Sequence, residues 1–278
     1  MTDPILSVVT VSYAAPDDLI RLGESLRAHT HVPYEWIIVD NGAGSASHAI
    51  YNGAIQSCEA CDESRGALVI HNNTNMGYAY AVNQGLAIAR GTDHLVFTNP
   101  DVVVYDGWYE QLLCAARQDG VGAVGPVSDY VTGDQHYRNH SPGDLNPVSF
   151  EERASLLEMH NAWKTVDTKL LIGFFTLIPR DVYEKYGGLD ASFFFGHDDL
   201  DLSWRLRSAG LRLLIATDCY VHHAGEKSSG TLDRSTFRQL VRNSGRALMT
   251  KLEAHYGVGN VPSDEDLWGI DWFRPGIA

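Results

Sequence analysis

Basic residues are in short supply in this chain. Its 278 residues include 21 Lys and Arg against 35 Asp and Glu, a formal net charge of −14. A surface of that sign repels phosphate backbones and anionic membranes, which excludes a sequence-independent grip on nucleic acid. It leaves room for an enzyme that meets phosphate locally. Cysteine is also scarce: Cys58 and Cys61 form a CxxC, while Cys114 and Cys219 stand alone. One CxxC without a second ligand pair makes neither a zinc site nor a redox centre by itself, so free thiols in a reduced, cytoplasmic chain are expected. No run approaches the roughly 18 apolar residues of a membrane span, and MTDPILSVVTVSY lacks the basic start of a secretory leader. There is no internal repeat, no low-complexity tract and no Walker loop. No GxGxxG follows the first apolar run, which argues against a nicotinamide dehydrogenase.

What is present is a core. Hydrophobic residues make up 44% of the chain and charged residues 20%, enough for one large α/β domain, or a domain with an appendage. The first half alternates strand and helix signals. Strands are expected at 7–13, 35–41, 67–72, 94–100 and 121–127, with helices at 16–29, 45–57, 78–90 and 106–118. Short, continuous apolar strands separated by helices imply a mostly parallel sheet covered on both faces. Ligands then bind beyond the carboxyl ends of the strands, at Ser12–Tyr13, Asp40–Asn41, Asn72–Asn75 and Asn99–Asp101.

Residues 128–148 are rich in Gly, Pro, Asn, Asp and His and read as a long surface loop, a place where function often sits. Beyond it come a helix at 149–162, an apolar strand at 168–179, a short helix at 181–188, and strands at 211–217 and 219–225. A long amphipathic helix spans 233–256, with Phe237, Leu240, Val241, Leu248 and Leu252 on one face. Arg234, Arg238, Arg242 and Arg246 run along another. That stripe is either a solvated face or the meeting place with an anionic acceptor or a second subunit in a homo-oligomer. In the tail, Trp268, Trp272 and Phe273 are expected to dock onto the body.

The densest chemistry lies in FFFGHDDLDLSWRLRSAG, residues 193–210. Asp198, Asp199 and Asp201 crowd the first turn of a helix whose Leu202, Leu206 and Ala209 share a face. The helix dipole favours anions there, so an acidic cap and an ionised base are both consistent with the pattern. Asp201 and Arg205 stand in the favourable i, i+4 order. Asn99-Pro100-Asp101 is good turn chemistry, and also a carboxylate at a strand end, where a divalent cation held with phosphates needs only one or two protein carboxylates. In His222-His223, alternation on a strand sends the two imidazoles in opposite directions, so one of them faces the site. Asn75-Met76-Gly77 precedes a helix whose N-terminus favours anions, with Asn83 and Gly85 inside it.

Taken in order, SVVTVSY, IIVDNG, NMGYAYAVNQG, FTNPD, GFFTLIPRDVYEKYGGLD, DDLDLSWRLRSAG and VHHAG resemble the family-2 inverting glycosyltransferases, most of all their rhamnosyltransferase-like branch. The resemblance runs from about residue 5 to 226. It implies a GT-A fold: a Rossmann-like sheet flanked by helices, merged with an acceptor-binding C-terminal half. Residues 1–127 would be the nucleotide-sugar half, 128–230 the acceptor-binding and catalytic half, and 231–278 a C-terminal helix and tail. The implied reaction moves a sugar from a nucleoside diphosphate to an acceptor hydroxyl with inversion. The acceptor class stays open among a glycan, a lipid-linked sugar, a metabolite, a protein and modified DNA.

By the same resemblance, Thr10, Ser12, Tyr13 and Asp40 would hold the nucleoside, and Asn75, Gly77 and Asn83 would line the donor side. Asp101 matches the last acid of the family's Asp-x-Asp metal motif, with Asn99 in place of the first. Asp101 and His222 would bind Mn²⁺ or Mg²⁺. Asp199 would be the general base, kept ionised by the helix dipole. Asp198, standing where the family has glutamate, would be an acceptor contact or second base, and Asp201 a brace. Two other readings compete. A sugar nucleotidyltransferase needs a basic loop after the first strand, and SYAAPDDL has none. A non-catalytic sugar-binding module would have no need of the base and metal groups in this order.

Overall fold

The computed structural model describes residues 5–42, 67–143, 149–225 and 234–270. The Cys58/Cys61 pair, the helix expected at 45–57, and Trp272 and Phe273 lie outside these. Among the described residues, Cys114 and Cys219 are free thiols, and no helix is long and apolar enough to cross a membrane.

Nine strands form the sheet, in the order β3-β2-β1-β4-β8-β6-β9-β5, with β7 paired to β9. They are β1 (Leu6–Ser12), β2 (Tyr34–Asp40), β3 (Ala67–His71), β4 (His94–Thr98), β5 (Val102–Val103), β6 (Val121–Ser128), β7 (Thr165–Thr168), β8 (Phe175–Pro179) and β9 (Arg212–His223). β3, β2, β1 and β4 pair in parallel, as the alternating pattern predicts. β8 then runs antiparallel to both β4 and β6, and β9 lies parallel to β6. The reversed β8 brings the turn before it to the carboxyl end of β4, where Asn99 N–H donates to the Phe174 carbonyl (2.9 Å).

Among the described residues the helices are α1 (Pro16–His29), α2 (Tyr78–Ile88), α3 (Trp108–Ala116), α4 (Phe150–Asn161), α5 (Arg180–Tyr186), α6 (Asp198–Ser208), α7 (Arg234–Tyr256) and α8 (Asp264–Trp268). Alternation along β1 sends Leu6 and Val8 into a core shared with Leu19 and Leu22 of α1 and Trp108 of α3. Val9 and Val11 enter the opposite core, with Ala81 and Val82 of α2 and Leu202 of α6. Gly85 lets α2 sit tight on β1: a Cβ there would lie 2.4 Å from Val9 Cγ1. A third cluster joins α6, α7 and α8 through Trp204, Leu248, Leu252, Leu267 and Trp268. The docking expected of Trp268 is therefore seen.

Two strand expectations change. The apolar run 168–179 splits, because residues 169–174 leave the sheet. Their N–H groups are met by side chains instead: Leu171 by Ser203 Oγ, Ile172 by Gln135 Oε1 (2.7 Å) and Gly173 by Asp199 Oδ2 (3.2 Å). The two strands expected at 211–217 and 219–225 are one strand. Between the pairs Pro126↔Ala216 and Val127↔Tyr220, β6 advances one residue and β9 four, so β9 holds three extra residues.

Candidate active site

The carboxyl ends of β1, β2 and β3 meet in register, Ser12 beside Asp40 and Asp40 beside His71. Asp40 is fully buried, and its carboxylate lies 3.0 Å from His71 Nδ1. Asn41 ties this edge to the next loop. Its amide donates to Asn75 Oδ1 and the Gly77 carbonyl, and its oxygen accepts from Asn72 and from Met76 N–H. Asn75 Oδ1 in turn accepts from Gly77 N–H at 2.9 Å. Tyr13 is half-buried just beyond β1.

Three expected donor-side residues serve the frame. Thr10 is buried within β1, and its hydroxyl accepts from the Trp36 indole at 2.9 Å. Asn83 spends both ends of its amide on Leu189, donating to the carbonyl (2.6 Å) and accepting from N–H (3.1 Å). Gly77, at φ +86, brings its backbone against Phe194, where a Cβ would stand 2.9 Å from the carbonyl oxygen. That contact lets Tyr78 N–H donate to the Phe194 carbonyl (3.2 Å) and fastens the start of α2 to the segment leading into α6.

Beyond β4, Asp101 is buried. Its Oδ2 accepts from Gly225 N–H at 2.9 Å. Its Oδ1 is a buried oxygen with no partner in hydrogen-bond geometry, and it lies 3.3 Å from His223 Nε2. His223 Nδ1 lies 2.8 Å from the Tyr130 carbonyl, which can only accept, so Nδ1 carries a proton. In the neutral ring Nε2 then presents its lone pair to Asp101 and to the Asn99 amide, 3.3 Å away. Burial pushes the Asp101 carboxyl up, but the His223 ring, when its Nε2 also carries a proton, and the Gly225 N–H outweigh it and hold it below the ordinary range.

This corrects the expectation for His222. The β5–β9 pairing sets His223 opposite Val102, next to Asp101, and His222 opposite Val103. His222 points the other way. Its Nδ1 lies 2.8 Å from Asp129 Oδ2, and its ring stacks on Phe150 with centroids 3.9 Å apart. Arg153 completes that cluster, 3.5 Å from Asp129 and bonded to the Tyr220 hydroxyl. Asp129 and Arg153 are absent from the sequence reading because they sit in a loop and on a helix with no motif of their own.

The third group is at the start of α6. Asp199 Oδ2 accepts from Gly173 N–H and Oδ1 from Leu200 N–H (2.9 Å). Asp198 is 5% exposed and packs beneath. Burial first, then the neighbouring Asp199, pushes the Asp198 carboxyl up to about 8. Burial also raises Asp199, against the pull of its two backbone donors. Desolvation therefore works against the helix dipole expected to keep Asp199 ionised. The pair holds a proton at neutral pH, and the donors on Asp199 favour Asp198 as its carrier. Asp201, fully buried, pairs with Arg205 (2.7 Å) and with Lys251 of α7. Lys251 also binds Asp190 at 2.8 Å.

Tyr78 was missed. Its hydroxyl donates to the Gly173 carbonyl (3.1 Å), and burial, followed by Asp198, Asp199 and Asp101, raises its phenol well above the usual value. Through Gly173 the phenol is one residue removed from Asp199, whose Oδ2 accepts from the same residue's N–H. Its place at the first turn of α2, directly after the Asn-Met-Gly loop, was the available signal. Arg238, Arg242 and Arg246 of α7 are exposed.

A strand-end polar edge, a buried carboxylate facing an imidazole, and a carboxyl pair on a helix start define a group-transfer enzyme of the nucleotide-binding α/β class. The family model for glycosyl transferase family 2 matches residues 7–187, and the chain belongs to that family. It is a glycosyltransferase. It is 27% identical over 252 residues to the N-acetylglucosaminyl-diphospho-decaprenol L-rhamnosyltransferase of Mycobacterium tuberculosis, covering 83% of this chain and 79% of that one. Among solved structures it resembles the mannosyltransferase PcManGT of Pyrobaculum calidifontis in complex with GDP-Man and Mn²⁺, with TM-score 0.63, 16% identity, and 94% and 67% of the two chains covered. It also resembles GalNAc-T7 with UDP, GalNAc and Mn²⁺, with TM-score 0.64, 15% identity, and 96% and 53% covered. Both likenesses bear on the fold, which is GT-A.

Proposed function

We propose that the chain transfers a sugar from a nucleoside diphosphate to an acceptor hydroxyl with inversion, in one displacement. The observation that carries this reading is the placement of Asp199. It lines a cavity on one side, and on the other its Oδ2 accepts from Gly173 N–H, the residue whose carbonyl takes the Tyr78 hydroxyl. Asp199 accepts the hydroxyl proton as the acceptor oxygen attacks the anomeric carbon, and the bond to the diphosphate breaks. Asp198, protonated below it, keeps a second negative charge away from the base. Residues 1–127 serve the donor, 128–230 supply the acceptor side and the base, and α7 with the tail closes it.

A divalent cation, Mn²⁺ or Mg²⁺, fits at Asp101. The orphaned Oδ1 and the His223 Nε2 lone pair face each other at 3.3 Å, and two acceptors so placed call for a positive charge. Among the described residues no group of three or more His, Cys, Asp or Glu is placed to hold a metal ion, so phosphate oxygens and water would complete the shell. Bound there, the cation would neutralise charge on the leaving diphosphate. Asp101 and His223 would hold it, with Asn99 adjacent. Ser12, Tyr13, Asp40 and the Asn75 loop would face the nucleotide. The relative's name points to a lipid-linked sugar as one acceptor class. The test is a thermal-shift screen of UDP-, GDP- and dTDP-sugars with and without Mn²⁺, followed by nucleotide release. A metal-dependent shift and release with one donor is expected. A shift without release under any acceptor would support the binding module instead.

A further inference from the structure

Among the described residues, the cavity that the base lines is mostly apolar. Asp199 lines a cavity of about 530 Å³ between α6, α7 and α8. Its wall is made by Ile172, Leu200, Val241, Leu248, Leu252 and Trp268. Three of these, Val241, Leu248 and Leu252, recur along one face of α7, the helix fastened to α6 by Lys251 and Asp201. Among the described residues its polar side chains are few: Thr132, His197 and Asp264 besides Asp199. The His197 ring packs against Gly245, where a Cβ would lie 3.3 Å from its Nε2, and its buried Nδ1 has no hydrogen-bond partner among the described residues. Burial also lowers the pKa of that ring, so it is neutral near pH 7.

A sugar ring seated against this wall would bury hydroxyls on every side with few partners, and each unmet hydroxyl weakens binding. An apolar skeleton carrying one hydroxyl meets the wall with carbon and the base with its single O–H. The cavity's size is that of a small-molecule site, with a mostly apolar lining and few polar groups. We propose that the acceptor hydroxyl is borne directly on an apolar skeleton, an aryl or alicyclic alcohol, seated between α6, α7 and α8. This rests on the assignment of Asp199 as the base.

The test is calorimetric titration of the full chain with 1-naphthol and, separately, with methyl β-glucopyranoside. One saturable naphthol site and weaker or no glucoside binding are expected. Val241→Trp fills the cavity. Met249→Glu, at a lining residue that is 47% exposed and so tolerant of change, puts a charge at its lip. Each should weaken naphthol binding at least about tenfold. Tighter binding of the glucoside, no saturable naphthol binding, or naphthol affinity unchanged in both variants would overturn the proposal. Mn²⁺-dependent nucleotide binding, followed on the same samples, reports on the donor reading separately, so the two can fail independently.

Discussion

The two acidic sites of this molecule are both largely buried, yet they titrate in opposite directions. Asp101 sits at the end of a central strand, where an imidazole and a backbone N–H converge on it, and its carboxyl stays below the ordinary range. Asp198 and Asp199 sit at a helix start, where burial prevails, joined at Asp198 by the charge of Asp199, and theirs rise. The first arrangement suits a permanent anion that holds a cation. The second suits a group that must take up a proton and give it back. Depth alone does not decide the role of a carboxylate; the donors around it do.

The largest expected effect is at the second site. Asp199→Asn keeps the shape and removes the base, so turnover should fall at least about a hundredfold, while nucleotide affinity changes by less than about twofold. Single-turnover kinetics and nucleotide titration on the same variant separate the two, and near-normal turnover would remove Asp199 from the chemistry. At the first site, His223→Ala should raise the Mn²⁺ concentration for half activation by about tenfold or more. His222→Ala should leave that midpoint nearly unchanged and lower the melting temperature instead, since it breaks the Asp129 pair and the Phe150 stack. If the two variants trade places, the β5–β9 register does not govern the metal side.

The parallel half of the fold was legible because apolar strands and amphipathic helices alternate at different periods. The reversal of β8 was not, since a short buried strand reads the same in either direction. The choice between His222 and His223 was hidden for a similar reason. Alternation says that the two point apart, but the phase depends on three extra residues in β9 that carry no sequence mark. Asp101 and Asp199 were legible as strand-end and helix-start acids. Thr10 and Asn83 misled because a polar residue near a strand end or helix face looks alike whether it meets a ligand or, as here, Trp36 and Leu189. The protonation of the carboxyl pair could not be read at all, because it follows from what packs over Asp198.

A pH profile sharpens the contrast. The base works only when deprotonated, so activity should fall as pH drops through the titration of the pair, above the ordinary carboxylate range. Those midpoints belong to the pair and not to either residue. Asp198→Asn replaces a protonated, neutral neighbour with another neutral one, so the acid limb of kcat/KM should stay in place. A limb that moves to lower pH would show that Asp198 is ionised while Asp199 titrates.

The smallest effect is on stability, and its sign is opposite to that of most carboxylates. In the unfolded chain Asp198 loses its proton near pH 4, whereas in the folded chain it keeps the proton until about pH 8. Between those limits the folded state binds more protons than the unfolded state, so stability falls as pH rises. Below the window both states are protonated and the residue costs nothing. An asparagine side chain has no such proton to lose. Asp198→Asn should therefore melt with wild type near pH 4 and several degrees above it at about pH 8. Thermal melts at both pH values check this. A variant less stable than wild type at the higher pH would show an ionised Asp198 with a partner, and would place the shared proton on Asp199.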